Sequence, residues 1–581
     1  MHYRVRIDRK RPYQIHIEAR LPLWSDSSRQ RFQLPVWRPG RYQRFNFAQY
    51  IQRLEVTDSY GHPLPNCKVG PSTWEVDGQG GDEVVFNYCY YGDTLDAGRT
   101  FWDGHVCLLN PVSCCIYPLN HADDVACELE IKPPESWEIV SLLPAVESSD
   151  DTYRAQHFHH LADSPFLVAE SLYHDHYACE GATFHLWSSG AAPDDPASVR
   201  ADFHRFSSAY HQMLGRWPFE AYHFLLHAPP TSQRHGLEHQ YGTVLILGPA
   251  ESAFRGLYHE LLGVASHELF HAWNVKAIKP QAFSPYDYTE PPTSPLGYIY
   301  EGATTYYGDL MLLRSGVFNW EAYRQELATL INRHLNNPGR RQRSVADSSR
   351  DTELDGYQRG VPHRKSSIYV EGAVLCMILD GAIRRATAHE KSLDDVFRSL
   401  DARFGVRQEG YTESALWAII DEVAGTSMQS WREQYFHQTQ DSLPQIHETF
   451  DYLGLVLQEQ PAESLVQARL GMKLRKGLAS PGPEVMDVTE TSPWYGAVVR
   501  GDVLLSWNGD SLQIDLGDDR MSRDAGRKVE VQLLRQGRVA RYNLEVPRAG
   551  NLIPHWDVAR VASPTSAQQA AWNAWSWNAE A

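Results

Sequence analysis

The stretch SHELFHAWNVKAIKP, Ser266 to Pro280, decides how this chain is read, because it opens with an HExxH pattern at His267, Glu268 and His271. Residues four apart on an α-helix are rotated by only about 40° from one another, so the two imidazoles share one face and can grip one metal ion. Glu268 follows the first ligand directly and points beside the metal, where a carboxylate can act as a base toward water. The flanks support a helix from Tyr258 to Val275: Leu261, Leu262, Val264, Ala265, Leu269, Phe270 and Trp273 recur with helical periodicity, and no Pro interrupts them. With 26 His in 581 residues, an HExxH arises by chance in about one such chain in ten to twenty, so the motif needs a third ligand. A catalytic zinc site takes three protein ligands and leaves one position open. Glu301, which opens the apolar, helix-like run EGATTYYGDL beyond a Pro-rich connection from Pro280 to Pro295, stands in a place to supply it.

The sequence from His267 through HELFHAWNVKAIKPQAFSPYDY, and then EGATTYYGDLMLLRSG from Glu301, resembles the glycyl aminopeptidase family of zinc metallopeptidases. The likeness extends past the ligands to Trp273-Asn274-Val275-Lys276, Pro280, the Asp287-Tyr288 pair and Tyr306-Tyr307. It implies a thermolysin-like catalytic domain holding one Zn²⁺ per chain on His267, His271 and Glu301, and a PDZ domain toward the C-terminus.

At 581 residues the chain exceeds one hydrophobic core and predicts three or four units. A net charge of -18 argues against nucleic acid or an anionic membrane as a main partner. No stretch approaches the roughly 20 apolar residues of a membrane span, and the N-terminus alternates like a strand instead of offering a signal-peptide core. The expected location is cytoplasmic, with the eight scattered Cys as reduced thiols.

The pattern predicts a multidomain α+β chain. Residues 1–172 read as an antiparallel β domain, from alternating runs such as Tyr3 to Ile7, Gln14 to Glu18, Glu83 to Tyr88 and Cys127 to Ile131. Within it, Leu34-Pro-Val-Trp-Arg-Pro-Gly-Arg-Tyr42 resembles a family signature, and Trp37 and Tyr42 are expected as core and turn residues. The His157–His160 and His174–His176 runs are read as faces of solvated strands, with no ligand role. Residues 173–450 form the expected catalytic domain, α/β at first and mainly helical after Glu301. Residues 451–548 carry PDZ-like text, including Leu470-Gly471-Met472-Lys473-Leu474, Arg500-Gly501-Asp502 and Trp507-Asn508-Gly509. The tail 549–581 has Trp572, Trp575 and Trp577 on an Ala-rich helix, a docking face for this protein or a partner, or else a disordered segment.

The resemblance also implies substrate residues. Gly236-Leu237-Glu238-His239 matches a motif whose Glu binds the substrate's free α-ammonium, with His235 where the family usually has a further Gly. Tyr369, in Tyr369-Val370-Glu371-Gly372, matches an oxyanion-stabilising Tyr of a Tyr-x-Lys-Gly pattern, with Glu371 in place of the Lys. The implied activity is release of a small N-terminal residue, Gly or Ala, with Glu268 as general base and a free-amine peptide as partner. A thermolysin-like endopeptidase shares the metal chemistry without needing Glu238, and a PDZ scaffold with a vestigial metal site would need neither.

Overall fold

The computed structural model describes residues 1–24, 29–78, 82–147, 149–476, 480–512 and 516–578. The alternating N-terminal runs form strands whose inward residues, Val5, Ile15, Ile17, Ala19 and Leu21 among them, are buried. They build a seven-stranded sheet in the order 145–146, 149–155, 127–132, 2–7, 14–22, 83–91, 51–58, accompanied by two four-stranded sheets. The sheet is not wholly antiparallel as expected: His2–Ile7 runs parallel to Cys127–Lys132, because the intervening 119 residues build the other strands before the chain returns.

A five-stranded sheet follows, ordered 173–179, 182–189, 221–227, 242–248, 233–239. Its three middle strands are parallel, and the helix Pro196–Leu214 makes the first crossover. That helix starts where the Asp195 side chain accepts from the Ser198 N–H and stops at Gly215 in the left-handed region. Gln233–His239 pairs antiparallel with Gly242–Gly248 and forms the edge strand.

Behind the edge strand the chain is mainly helical, as expected of the part after Glu301, with helices at Trp320–Leu335, Val370–Ala386, Leu393–Leu400 and Glu413–Ala424. One hydrophobic core runs through the N-terminal sheets, the five-stranded sheet and these helices. A separate core, built on residues such as Leu470, Val485, Trp507 and Val531, lies within the sheet ordered 472–476, 483–488, 503–507, 528–535, 538–545.

The segments flanking that second core belong to the first. Leu455–Gln460 pairs antiparallel with His555–Arg560, and Leu455, Leu457, Trp556 and Val558 pack in the main core. The C-terminal unit is thus inserted between two strands of one ladder. The last helix, Ser566–Ser576, docks on this same protein: Trp572 and Trp575 are buried, Trp575 Nε1 donates to the Tyr306 hydroxyl at 2.8 Å, and Arg314 Nε donates to the Trp575 carbonyl at 2.8 Å. All eight Cys are free thiols, Cys67 alone exposed. Among the described residues no helix is long and apolar enough to cross a membrane.

Candidate active site

The HExxH helix spans Tyr258–His271 and buries Leu261, Leu262, Ala265, Leu269 and Phe270. It ends at His271, four residues short of the expected Val275, because the chain turns sharply there, with Val275 at φ 143°. The turn brings the Asn274 carbonyl 2.8 Å from His271 Nδ1, while Asn274 Nδ2 donates to the Ile299 carbonyl at 2.8 Å and to Thr304 Oγ1 at 3.0 Å. Asn274 therefore ties the motif helix to the segment carrying Glu301, and leaves the His271 Nε2 lone pair facing inward. Glu301 lies in a π-helical turn, Tyr298–Ala303, that runs into the helix Thr304–Arg314.

These elements bring the three predicted ligands together. His271 Nε2 lies 3.1 Å from His267 Nε2 and 3.4 Å from Glu301 Oε2, and His267 Nε2 lies 3.8 Å from the same oxygen. A tetrahedral cation bonded at about 2.0 to 2.1 Å needs donors about 3.4 Å apart, so the set fits one. The electrostatics ask for the same thing. Burial alone would lower the His271 pKa, yet Glu238, Glu301 and Glu268 around it raise it to about 10. Gly308 faces His267 closely: a Cβ there would sit 3.2 Å from the His267 Cβ.

Glu268 is buried, and among the described residues its Oε2 has no hydrogen-bond partner. Burial raises its pKa well above the ordinary carboxylate range, with the neighbouring Glu238 adding to the rise. Glu238, Glu268 and His271 each offer an atom within 4.8 Å of the others, so the Glu238 carboxylate approaches Glu268 from the edge strand. Gly236 makes this approach possible, since a Cβ there would stand 2.3 Å from Glu268 Oε1.

The N-terminal domain closes the other side of Glu238: Tyr42 is buried in the core as expected, and also reaches this carboxylate, which its sequence context did not signal. The Tyr42 hydroxyl donates to Glu238 Oε1 at 3.5 Å, and Gly40, at φ 84°, packs so closely that a Cβ would lie 2.4 Å from Glu238 Oε2. Two matched segments meet here: the Val36 N–H donates to the Tyr288 carbonyl at 2.9 Å, and Trp37 Nε1 donates to the Asp287 carbonyl at 2.5 Å. Buried Arg38 and neighbouring Arg41 each donate to Asp96 at 3.1 Å, holding the Asp96 carboxyl down to about 2 against its burial. His235, the departure from the family motif, accepts from the Ala97 N–H at 3.1 Å and so fastens the edge strand to this network.

Tyr369 stands at the head of the helix Val370–Ala386 and lines the same cleft. Its hydroxyl hydrogen-bonds Tyr357, which also accepts from the Tyr42 N–H at 3.2 Å; Tyr357 carried no recognisable sequence signal. Gly372 explains its own place in the motif, because Gly302 packs directly on it and a Cβ on Gly302 would lie 2.5 Å from its Cα. Glu371 points elsewhere: it accepts from Asn337 Nδ2 at 3.1 Å and pairs with His334, so its exchange for Lys serves helix packing.

All seven predicted site residues, Gly236, Glu238, His267, Glu268, His271, Glu301 and Tyr369, line one cleft of about 750 Å³, joined by Gly40, Arg41 and Tyr357. Buried ligand atoms that fit a cation, an unpartnered carboxylate beside them and a second carboxylate at a sheet edge make this a metallo-aminopeptidase site. Residues 2–170 match the model of the Peptidase M61 N-terminal domain and residues 260–375 that of the M61 glycyl aminopeptidase. The chain therefore carries an M61 N-terminal domain and an M61 glycyl aminopeptidase domain. Its fold is similar to that of an aminopeptidase N family protein from Idiomarina loihiensis, with a TM-score of 0.88 at 23% identity over 98% of this chain and 99% of that one. An M1 zinc metallopeptidase from Deinococcus radiodurans, solved with a Tyr-Ser-Ala substrate, aligns with a TM-score of 0.48 at 16% identity over 76% of this chain and 95% of that one. No curated protein matches the chain in sequence.

Proposed function

We propose that this peptidase is a zinc aminopeptidase hydrolysing the first peptide bond of peptides with a small N-terminal residue, Gly or Ala. His267, His271 and Glu301 would hold Zn²⁺, which when bound supplies a Lewis acid for the scissile carbonyl. Glu268 takes the proton of the attacking water and returns it to the leaving amine. Tyr369 donates to the oxygen that gains charge at the reacting carbonyl. Glu238 binds the substrate's α-ammonium, and the edge strand around Gly236 receives its backbone. The preference for a small first residue follows the glycyl aminopeptidase description of the matched domain. In this reading residues 1–172, 173–450 and 451–548 are the N-terminal, thermolysin-like catalytic and PDZ domains.

The observation that carries the exopeptidase reading is the pair of buried carboxylates, Glu238 and Glu268, converging beside His271. An endopeptidase has no cation to place against Glu238, whereas an α-ammonium offsets the cost of burying it. Removing one partner of such a charge pair costs about 2 to 5 kcal/mol, so Glu238→Gln should lower kcat/KM for a free-amine Ala peptide by about 30-fold or more. The N-acetylated peptide should be a poor substrate and change little. Equal cleavage of both peptides by the wild type would establish the endopeptidase reading instead.

A further inference from the structure

A second cleft, of about 630 Å³, adjoins the first across the helix Trp320–Leu335. Glu326, Thr329, Leu330 and Arg333 face the active-site cleft, while Gln325, Ala328, Asn332 and Asn336 face the second. Their spacing of three and four residues marks two adjacent faces of one helix. Thr329 and Arg333 line both clefts, so the two form one continuous channel over a shared ridge. From Gln325 to Asn336 the helix runs about 16 Å, enough for about five extended residues.

The far wall comes from the C-terminal unit, through Gln467, Lys473 and Leu474. None of the helix Asp518–Arg523 lines it, so the cleft is distinct from the groove between that helix and the strand Met472–Lys476. The cleft carries Arg324, Arg333 and Lys473 together with Glu463 and Asp557. Arg324 is paired with Glu321 and Asp557, but among the described residues neither Arg333 nor Lys473 has an ion-pair partner. Glu463 lines the same cleft and Asp487 stands across the ladder from Lys473, yet neither forms an ion pair with the two cations, which stay available to an anion.

We propose that the second cleft binds the C-terminal stretch of a longer peptide substrate, its anionic end meeting Arg333 and Lys473, while the N-terminus lies at Glu238. This rests on the aminopeptidase reading and specifies its substrate class as acid-ended peptides of about six to eight residues. The C-terminal unit then acts as a wall of the substrate channel.

The test uses the full-length, zinc-loaded protein and free-amine peptides beginning with Ala, of two, four, six and eight residues, each ending in Asp with a free carboxylate. An eight-residue control ends in Asn amide. In the wild type kcat/KM should rise at least tenfold from the dipeptide to the octapeptide, chiefly through KM. Lys473→Glu reverses an exposed charge, and Gln325→Trp narrows the cleft from an exposed helix position, so both should fold. Each should lower octapeptide kcat/KM at least fivefold and leave the dipeptide unchanged, and the amide control should be insensitive to Lys473→Glu. A flat length profile with good dipeptide cleavage, or equal losses on both substrates in both variants, overturns the second cleft alone. Failure to cleave any of the peptides overturns the aminopeptidase reading and this inference with it.

Discussion

Gly236→Ala separates packing from catalysis at this site. The added Cβ would stand 2.3 Å from Glu268 Oε1, 2.8 Å from Glu268 Cδ and 2.8 Å from Val264 Cγ2. Restoring an ordinary contact of about 3.4 Å requires the carboxylate to move by roughly 1.1 Å. Gly236 is not among the positive-φ residues, so the backbone accepts Ala and the unfolded chain loses some freedom, which offsets about 0.4 to 1 kcal/mol. Overpacking costs about 1 to 3 kcal/mol, much of it relieved because the end of a Glu side chain can swing away. The net stability change should therefore stay under about 2 kcal/mol. Catalysis has no such relief: a misplacement of about 1 Å costs on the order of 10²-fold, within the 10² to 10⁴ contributed by a general base. The expected result is a kcat near one hundredth of wild type, with metal content and melting temperature close to wild type, since His267, His271 and Glu301 are not touched. Steady-state kinetics on an Ala peptide, metal analysis and thermal unfolding measure the three quantities. A kcat within threefold of wild type would refute the claim that Gly236 sets the position of the base.

Glu268→Gln should keep stoichiometric metal and lose at least 10²-fold in turnover, while Glu301→Ala should lose metal as well, both read by metal analysis beside kinetics. Tyr369→Phe should lower kcat by about 10² to 10³ with metal content unchanged; a loss below threefold would return Tyr369 to a packing role. Asp96→Asn should destabilise the fold by about 2 to 4 kcal/mol at pH 7, because it leaves Arg38 buried without its partner. The Asp96 carboxyl is depressed to about 2, so its contribution is complete above the ordinary carboxylate pKa and fades as pH falls through about 2. Unfolding curves of wild type and variant should converge there, and a gap that stays constant with pH would count against the ion pair.

The sequence by itself determined the motif helix, the shared face of His267 and His271, the place of Glu268 beside them and the strands of the N-terminal region. These rest on local periodicity and on ligand spacing within one turn, which neighbouring residues encode. Glu301 was legible as a third ligand from its place at the head of the next helix-like run, whereas Glu238 and Tyr369 were legible only through their resemblance to a family, since nothing nearby in the chain marks their direction. Tertiary structure alone decided what completes the site. Tyr42 reaches Glu238 across 196 positions and His235 reaches Ala97 across 138, contacts with no local signature. The demand for Gly at 40, 236, 302 and 372 exists only once separate segments approach within a Cβ of one another. Glu371 turned from the cleft because His334, on the facing helix, and Asn337, just beyond its end, hold the carboxylate, and the C-terminal unit lines the second cleft because its flanking strands pair with each other in the main core.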